Sequence, residues 1–206
     1  GALNIVQLGS YIARKGIKGL TLAPSSLNDI NDAILPHIES GVVTAIETSG
    51  ARGKLGTTIS AGKLARPAII RSHGGRARAI ECGELKIDVA FIGAPCCDKA
   101  GNINGVDGPS ACGSMGYAMV DAAYVDKVVA ITVHLVPQPA FPISIPQTQV
   151  DFVVELDSIG DPAGIASGAL RISRNPRELL IAEYAAAVIE HSGYFNEGYS
   201  LQLGSG

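Results

Sequence analysis

The chain has 206 residues, of which 47% are hydrophobic and 17% charged, and its formal net charge is −3. A chain of this length can bury a core without disulfides or metals, and its apolar, weakly charged composition excludes intrinsic disorder. With 16 Lys and Arg against 19 Asp and Glu there is no basic stripe, so no nucleic-acid partner is expected. No apolar run approaches the ~20 residues of a membrane helix, so we expect no membrane association.

The four cysteines are Cys82, Cys96, Cys97 and Cys112, and no pair of them has C-x-x-C spacing. The pattern is neither a disulfide framework nor a zinc site, so no metal is expected. We interpret them as buried or loop thiols in a reducing compartment. The first residues show no signal peptide. Together these features predict a cytoplasmic protein.

In chain order, the hydrophobic periodicity predicts a helix at 3–16, a strand at 20–23, a helix at 30–38, a strand at 42–48, a helix at 55–64, a strand at 68–70, a helix at 76–85 and a strand at 87–92. Turn residues follow at 98–102. Strands are then predicted at 128–133 and 152–156, a helix at 176–191 and a last strand at 199–203. The helix at 176–191 has the clearest start, with Asn175 as N-cap and Pro176 in its first position. Four prolines make the segment 137–146 a rigid connector or lid.

Strands that alternate with helices indicate βαβ units, and therefore an α/β fold with a mainly parallel sheet. The strands are continuous apolar runs, which is typical of a sheet covered by helices on both faces.

Small, hydroxylated and cationic residues follow the predicted strands. In open α/β sheets ligands bind beyond the carboxyl ends of the strands, so these are the candidate binding residues. They are Ser25, Ser26, Ser49, Gly50, Arg52, Gly53, Ser72, His73, Gly74, Gly75, Arg76, Asn102 and Asn104. Glycine turns before helices favour anions, and an arginine grips a carboxylate or phosphate with two hydrogen bonds.

Each of these residues also has a plainer interpretation. The glycines are common turn residues, Arg52 and Arg76 fit solvated surface charges equally well, and His73 fits a loop histidine as well as a catalytic one. Dinucleotide, P-loop, metalloprotease and nucleophile-elbow motifs are missing from the sequence. No pair of carboxylates stands out as an acid–base dyad.

Several long segments carry a more specific pattern. They include SHGGRARAIE at 72–81, GELKIDVAF at 83–91 and the segments 48–55, 95–105, 112–117, 145–151, 175–182 and 191–195. Over nearly the whole chain they closely resemble the alpha-chain family of citrate lyase. The shorter pattern Asp98-x-x-Gly101-Asn102, with Ile145-Pro146 downstream, is shared more loosely with CoA-transferases.

The resemblance implies a three-layer α/β/α fold of the CoA-transferase type with a mainly parallel sheet. It implies an alpha subunit that exchanges acetyl for citryl on an acyl-carrier thioester, with citrate and acetate as substrate and product. The expected partners are the acyl carrier (gamma) and citryl-lyase (beta) subunits, and the protein itself is expected to be a homo-oligomer. No cofactor is expected to bind directly: the chain would act on the CoA-derived prosthetic group of the carrier, or on acetyl-CoA.

For this chemistry we expect Arg52 and Arg76 to hold carboxylates and Ser49, Gly50, Gly74 and Gly75 to line the acyl pocket. Related transferases use a glutamate that lies in a second half, so no nucleophile is assigned here. The resemblance also implies a longer protein with two similar α/β halves. Residues 1–193 would then be the first CoA-transferase-like domain without its most N-terminal strand, and 194–206 the start of an absent second one. Such a chain, truncated to about the first half, is expected to be poorly active alone.

Two alternatives remain open at this point. One is another CoA-transferase or thioester hydrolase that takes a different acid, such as citramalate. The other is a non-catalytic binding or scaffold fragment of the same fold.

Overall fold

The computed structural model describes residues 11–160 and 173–201. The chain forms two compact units, Gly1–Pro162 and Ala163–Gly206. The domain boundary expected at residues 193 and 194 stays a prediction.

The first unit opens with a three-stranded parallel sheet. Its strands are β1 (Leu20–Leu22), β2 (Val43–Thr48) and β3 (Ile69–Ile70), with β2 in the centre. A 3-10 helix (Asp29–Ile34) and α1 (Leu35–Glu39) connect β1 to β2, and α2 (Gly53–Ser60) connects β2 to β3. Leu27, Ile34, Ile46 and Leu55 pack between these elements and are almost completely buried. Their burial holds the two helical connections against the sheet.

A second parallel sheet has the order β4 (Val89–Ala94), β7 (Lys127–Thr132) and β9 (Phe152–Glu155). Helix α3 (His73–Glu81) precedes β4, and α4 (Tyr117–Tyr124) precedes β7. Alternate residues of β4 are buried, so Ala90 and Ile92 pack with Ala122 of α4 into one core while their neighbours face outward.

A third, smaller sheet places β5 (Cys96–Asp98) between the antiparallel β6 (Ile103–Asn104) and the parallel β8 (Leu135–Val136). Asp98 ends β5 and is fully buried. Its two oxygens accept hydrogen bonds from the backbone N–H groups of residues 100, 101 and 102, from the Asn102 amide and from the Ala140 N–H, at 2.8 to 3.1 Å. One carboxylate therefore closes the β5–β6 turn and ties it to the proline-rich segment 137–146.

The second unit contains α5 (Pro176–Glu190), the longest helix among the described residues. The Asn175 side chain accepts a hydrogen bond from the Arg177 N–H at 3.0 Å, and Pro176 occupies the first turn. Both features confirm the predicted helix start. No helix within residues 11–160 and 173–201 is long and apolar enough to cross a membrane.

Most predicted elements of the first unit are present, with shifts of a few residues. Helix α3 begins at His73 rather than at 76, because the Ser72 hydroxyl caps it by accepting from the Gly75 N–H at 3.1 Å. Of the helix predicted at 3–16, residues 11–14 are helical and 1–10 lie outside the described residues. The strand predicted at 199–203 is wrong for 199–201, which form no strand, while 202 and 203 lie outside the described part.

Five elements were not predicted: β5, β6, β8, α4 and a 3-10 helix (Gln147–Gln149). The N-cap residue of α4 is Gly116, which has a φ of 49° and no side chain to cap the helix. The usual sequence signal for a helix start is therefore missing. The three short strands have only two or three residues each, which is too short for an alternating pattern to stand out.

Candidate anion-binding rim

The loops after β1, β2 and β3 meet at one edge of the first sheet, which we call the rim (residues 23–27, 49–53 and 71–75). The Ser49 N–H donates to the Ser25 carbonyl at 3.0 Å, and the Leu27 N–H donates to the Gly50 carbonyl at 2.9 Å. The Arg71 N–H donates to the carbonyl of Thr48, the last residue of β2, at 2.9 Å, so the third loop starts beside the end of β2. The structure thus brings the serine, glycine and arginine turns of all three loops to the same edge.

The N-terminus of α3 is the open part of the rim. Among the described residues, no group accepts from the N–H groups of His73 and Gly74, the first two of the helix. No other atom lies within 4 Å of the position that a Cβ would take on Gly74 or on Gly50. Unpaired N–H groups at a helix start carry partial positive charge and attract anions. This end of α3 has room and charge for a carboxylate.

The N-terminus of α2 is already filled by the protein. Asp32 accepts from the Leu55 N–H at 2.9 Å and from the Lys54 N–H at 3.4 Å. Gly53, with a φ of 66°, would place a Cβ only 2.5 Å from an Asp29 oxygen. A glycine is favoured there by its positive φ and by the close approach of the Asp29 and Asp32 side chains, so a ligand is not needed to explain it.

Two serine side chains of the rim make hydrogen bonds to the protein backbone. The Ser49 hydroxyl donates to the Ser25 carbonyl, and the Ser72 hydroxyl caps α3. Ser26 is exposed, and Ser25 is half-buried. These side chains hold the loops in register, so the donors left for a ligand are mainly backbone N–H groups.

The three arginines of this region differ in their partners. Arg71 pairs with Glu47, and Arg76 pairs with Asp121 through Nη1–Oδ1 at 2.9 Å and Nη2–Oδ2 at 3.3 Å. Arg52 is exposed and makes no ion pair with any described residue. Arg52 is therefore the arginine of the rim that is available to a substrate carboxylate.

Arg76 differs from the expectation that it holds a substrate. It is 2% exposed, and the carboxylate that it binds is the protein's own Asp121. Burial raises the pKa of the Asp121 carboxyl, and the hydrogen bonds and charge of Arg76 oppose that rise. Arg76 acts here as an internal link between α3 and α4.

His73 is exposed at the start of α3, with its ring centroid 5.4 Å from that of Tyr117. Its ring makes no hydrogen bond to a described carboxylate or hydroxyl, so the arrangement of nucleophile, base and orienting acid is not formed by these residues. A catalytic role for His73 stays a prediction.

Asn102 lies in the β5–β6 turn and Asn104 ends β6, and no hydrogen bond in the described ranges joins either of them to the rim. Asn102 donates to Asp98 at 2.8 Å and accepts from the Gln147 N–H at 2.9 Å. Asn104 donates to Asp107 and accepts from the N–H groups of residues 106 and 107. Both side chains are buried and hydrogen-bonded within the protein, Asn102 in the β5–β6 turn and Asn104 in the turn after β6, so a substrate contact by either one stays a prediction.

The buried thiols are poor nucleophiles. Burial, reinforced by the Asp98 charge, raises the pKa of the Cys97 thiol to about 12. Burial also raises the pKa of Cys96, with Asp107 and Asp98 adding to the rise. Both thiols are neutral at physiological pH and pack as small apolar groups. Cys82 and Cys112 are exposed, and all four cysteines are free.

A groove of about 350 Å³ lies between the third sheet and the proline-rich segment. Its lining residues are Cys96, Asp107, Gly108, His134, Val136, Pro137, Pro139, Ala140 and Phe141. The formally charged member of this lining is Asp107, an acid, so the groove repels a polycarboxylate. None of the predicted site residues lines it. We therefore place the anion site at the rim and not in this groove.

Sequence reasoning placed Asp98 in a turn at 98–102 without giving its side chain a role, and it missed Asp32 and Asp121, which bind the backbone of α2 and the side chain of Arg76. Asp98 alone had a local signal, because an aspartate followed by turn residues commonly accepts the N–H groups of its own turn. Asp32 and Asp121 act on residues more than 20 positions away. No local pattern marks such partners.

Comparison with known proteins identifies one family in both the family model and the related sequences. The sequence model of the family described as "Citrate lyase, alpha subunit (CitF)" matches residues 1–206. The citrate lyase alpha chain of Klebsiella pneumoniae is 55% identical over 195 residues, which are 95% of this chain and 38% of that protein. The citrate lyase alpha chain of Haemophilus influenzae is 57% identical over 195 residues, 95% of this chain and 39% of that protein. The chain therefore spans about two fifths of the length of these relatives.

Comparison with solved structures indicates the same family. A crystal structure described as the alpha subunit of citrate lyase from Streptococcus mutans in complex with citrate superposes with a TM-score of 0.87 at 55% identity, covering 98% of this chain and 39% of that one. An acyl-CoA transferase from Escherichia coli O157:H7 superposes with a TM-score of 0.64 at 16% identity, covering 86% of this chain and 47% of that one. The second likeness is one of fold alone, and it confirms the CoA-transferase type of α/β architecture.

Proposed function

Because the chain belongs to the citrate lyase alpha-subunit family, we propose that it contributes the citrate-binding rim of a citrate:acyl-carrier transferase. The overall reaction is citrate plus acetyl thioester giving citryl thioester plus acetate. The observation that carries the proposal is the likeness to a citrate-bound alpha subunit, at 55% identity over 98% of this chain. The open start of α3 supports it, as does Arg52 on another loop of the rim, which is exposed and forms no ion pair with any described residue.

The exchange proceeds in two attacks. A citrate carboxylate oxygen attacks the thioester carbonyl, and the carrier thiolate leaves, which forms a mixed citryl–acetyl anhydride. The thiolate then attacks the citryl carbonyl, and acetate leaves with the former bridging oxygen. No oxidant, reductant or metal is needed for the balance of atoms and charge.

Each attack builds negative charge on a carbonyl oxygen. Preorganised N–H donors lower the free energy of such a transition state more than that of the ground state. Among the described residues, the N–H groups of His73 and Gly74 at the start of α3 have no acceptor and are available as such donors. Gly74 and Gly50, which face open space, let a substrate approach the backbone closely.

Citrate carries up to three negative charges, so binding requires cations. Arg52 supplies one that is exposed and unpaired within the described residues. The helix start supplies partial charge on the neighbouring loop. Holding citrate against the thioester also lowers the barrier through proximity.

The same proposal assigns the partners. The thioester is carried on the CoA-derived prosthetic group of an acyl carrier (gamma) subunit, and a citryl-lyase (beta) subunit consumes the citryl thioester. Acetyl-CoA carries the same acetyl thioester on free CoA instead of on the carrier subunit.

The test is an exchange assay on the protein as its cell makes it, with carrier protein bearing a ¹⁴C-acetyl thioester. Citrate should release labelled acetate with formation of citryl carrier, and a panel containing citramalate and acetate should show which acid is preferred. Preference for another acid would replace citrate as the substrate. Binding of carrier without any acid-dependent release would instead indicate a scaffold and contradict the proposal.

A further inference from the structure

Arg76 makes three strong contacts that join separate parts of the first unit. Its guanidinium contacts both oxygens of Asp121 on α4 at 2.9 and 3.3 Å. Its Nη2 also donates to the Ala23 carbonyl at 2.6 Å, directly after β1. One side chain on α3 therefore connects α4 with the first loop of the rim.

The Nε of Arg76 has no hydrogen-bond partner, and it is the one such buried side-chain nitrogen or oxygen within the described residues. The side chain is 2% exposed, so a ligand could reach the guanidinium only if the packing opened. A buried charge is tolerated when it is paired, and Asp121 is that pair. The geometry suits an internal link better than a substrate contact.

The link lies one helical turn from the open end of α3. His73 and Arg76 are three residues apart on α3, and Tyr117 and Asp121 are four apart on α4, so each pair lies on one helix face. The His73 ring contacts the Tyr117 ring, and Arg76 contacts Asp121 one turn later. These two contacts hold the register of the helices, and with it the position of the free N–H groups at the start of α3.

We propose that Arg76 is a positioning residue for the acyl exchange. Through Asp121 and the Ala23 carbonyl it holds the loop after β1 and the first turn of α3 at the separation at which both face one carboxylate. This role rests on the proposed function, since it concerns the same rim. It differs from a direct contact with citrate, because Asp121 is then as necessary as Arg76.

The test uses Arg76→Lys, Asp121→Asn and the double variant in the protein as its cell makes it. Arg76→Lys keeps the charge but loses the two-pronged contact, and Asp121→Asn keeps the shape but loses the charge. Each should lower kcat/KM for citrate by about tenfold or more, with a loss in kcat, because small displacements of reacting groups are costly. The double variant should lose little more than the worse single one, since the two residues act as one unit.

The matched control is Arg78→Lys on the same helix. Arg78 pairs with Glu84 at 2.8 Å, but the two side chains are 60% and 48% exposed. Its substitution should change kcat/KM by less than about twofold, because exposed ion pairs contribute little. Hydrogen exchange gives a second measure, independent of turnover. The backbone amides of 23–27 and 72–76 should exchange about tenfold faster or more in the Arg76 and Asp121 variants than in the control.

The outcomes separate the possibilities. An Asp121→Asn variant with unchanged kcat/KM beside an impaired Arg76→Lys variant would show that Arg76 acts on substrate directly. A lower Tm in both variants with unchanged kcat/KM and rim exchange would leave Arg76 a purely structural residue. Either result overturns the positioning role. If the unmodified protein shows no citrate-dependent exchange, the proposed function fails, and the hydrogen-exchange comparison alone decides the positioning role.

Discussion

Replacing Arg52 with alanine should weaken citrate binding and leave the fold intact. Arg52 is exposed, and its backbone, with a φ of −123°, suits alanine equally well. Its backbone N–H donates to the Leu27 carbonyl at 3.0 Å, and alanine keeps that bond. The free energy of unfolding should therefore change by less than about 0.5 kcal/mol.

The expected loss in affinity follows from the interaction removed. A hydrogen bond to a charged group contributes about 1.5–3 kcal/mol, and about 1.4 kcal/mol corresponds to a factor of ten in the dissociation constant. Solvent screens an exposed arginine, so the lower part of that range applies. We expect the Kd for citrate to rise about tenfold.

The assay is isothermal titration with citrate at two ionic strengths. The contact is electrostatic and exposed, so salt screens it. Raising the salt concentration from about 0.05 M to about 0.5 M should therefore weaken citrate binding more in the unmodified protein than in Arg52→Ala. The matched control is Arg66→Ala. Arg66 is also exposed, but its N–H pairs with the Thr44 carbonyl near the start of β2, at the other end of that strand.

Equal citrate affinity in Arg52→Ala and the unmodified protein would refute the assignment of Arg52. A similar loss in Arg66→Ala would also refute it, because a general effect of net charge would then explain both results. Loss of affinity together with a large drop in Tm would show that Arg52 supports the fold, contrary to its exposed position.

Three further predictions concern stability and reactivity. Asp98→Asn should lower the free energy of unfolding by about 2–4 kcal/mol in urea, because the new NH₂ group faces donors at a buried site. Burial alone would raise the pKa of Asp98, but its hydrogen bonds hold that pKa below the ordinary value. Its contribution to stability is therefore full above the ordinary aspartate pKa and is lost as the pH falls through the lowered one. Cys112 should react with iodoacetamide in the native protein at pH 8 and Cys97 should not, as peptide mass spectrometry would show, since Cys97 is buried and its pKa is raised to about 12. Gly53→Ala should lower Tm more than Gly62→Ala: both have positive φ and share a strain of about 1–2 kcal/mol, but only at Gly53 does a Cβ meet an aspartate oxygen at 2.5 Å.

Each of these has a result that would contradict it. If Asp98→Asn had the same urea midpoint as the unmodified protein at each pH between 3 and 7, the hydrogen-bond donors around Asp98 would not need its carboxylate. Rapid native labelling of Cys97 would mean that the third sheet opens readily. Equal Tm values for the two glycine variants would show that Asp29 moves aside without loss.

Much of the first unit follows from local patterns in the sequence. The apolar run 128–131 forms most of β7 and is mostly buried, as expected for a strand in the centre of a parallel sheet. Asn175 and Pro176 start α5 because a side-chain cap and a preset φ favour a helix there. Since parallel strands end at the same edge, residues following β1, β2 and β3 were expected to meet, and the rim confirms it.

Other features depend on which elements pack together. Whether an arginine near the rim is available to a substrate depends on its partner. Arg76 pairs with Asp121, 45 residues away, whereas Arg52 has no acidic partner within residues 11–160 and 173–201. The helix start of α2 is closed by Asp32, whereas that of α3 is open. Local periodicity sets the direction of a side chain within its own helix or strand. The identity of the group that it meets is set by long-range packing, which sequence spacing does not encode.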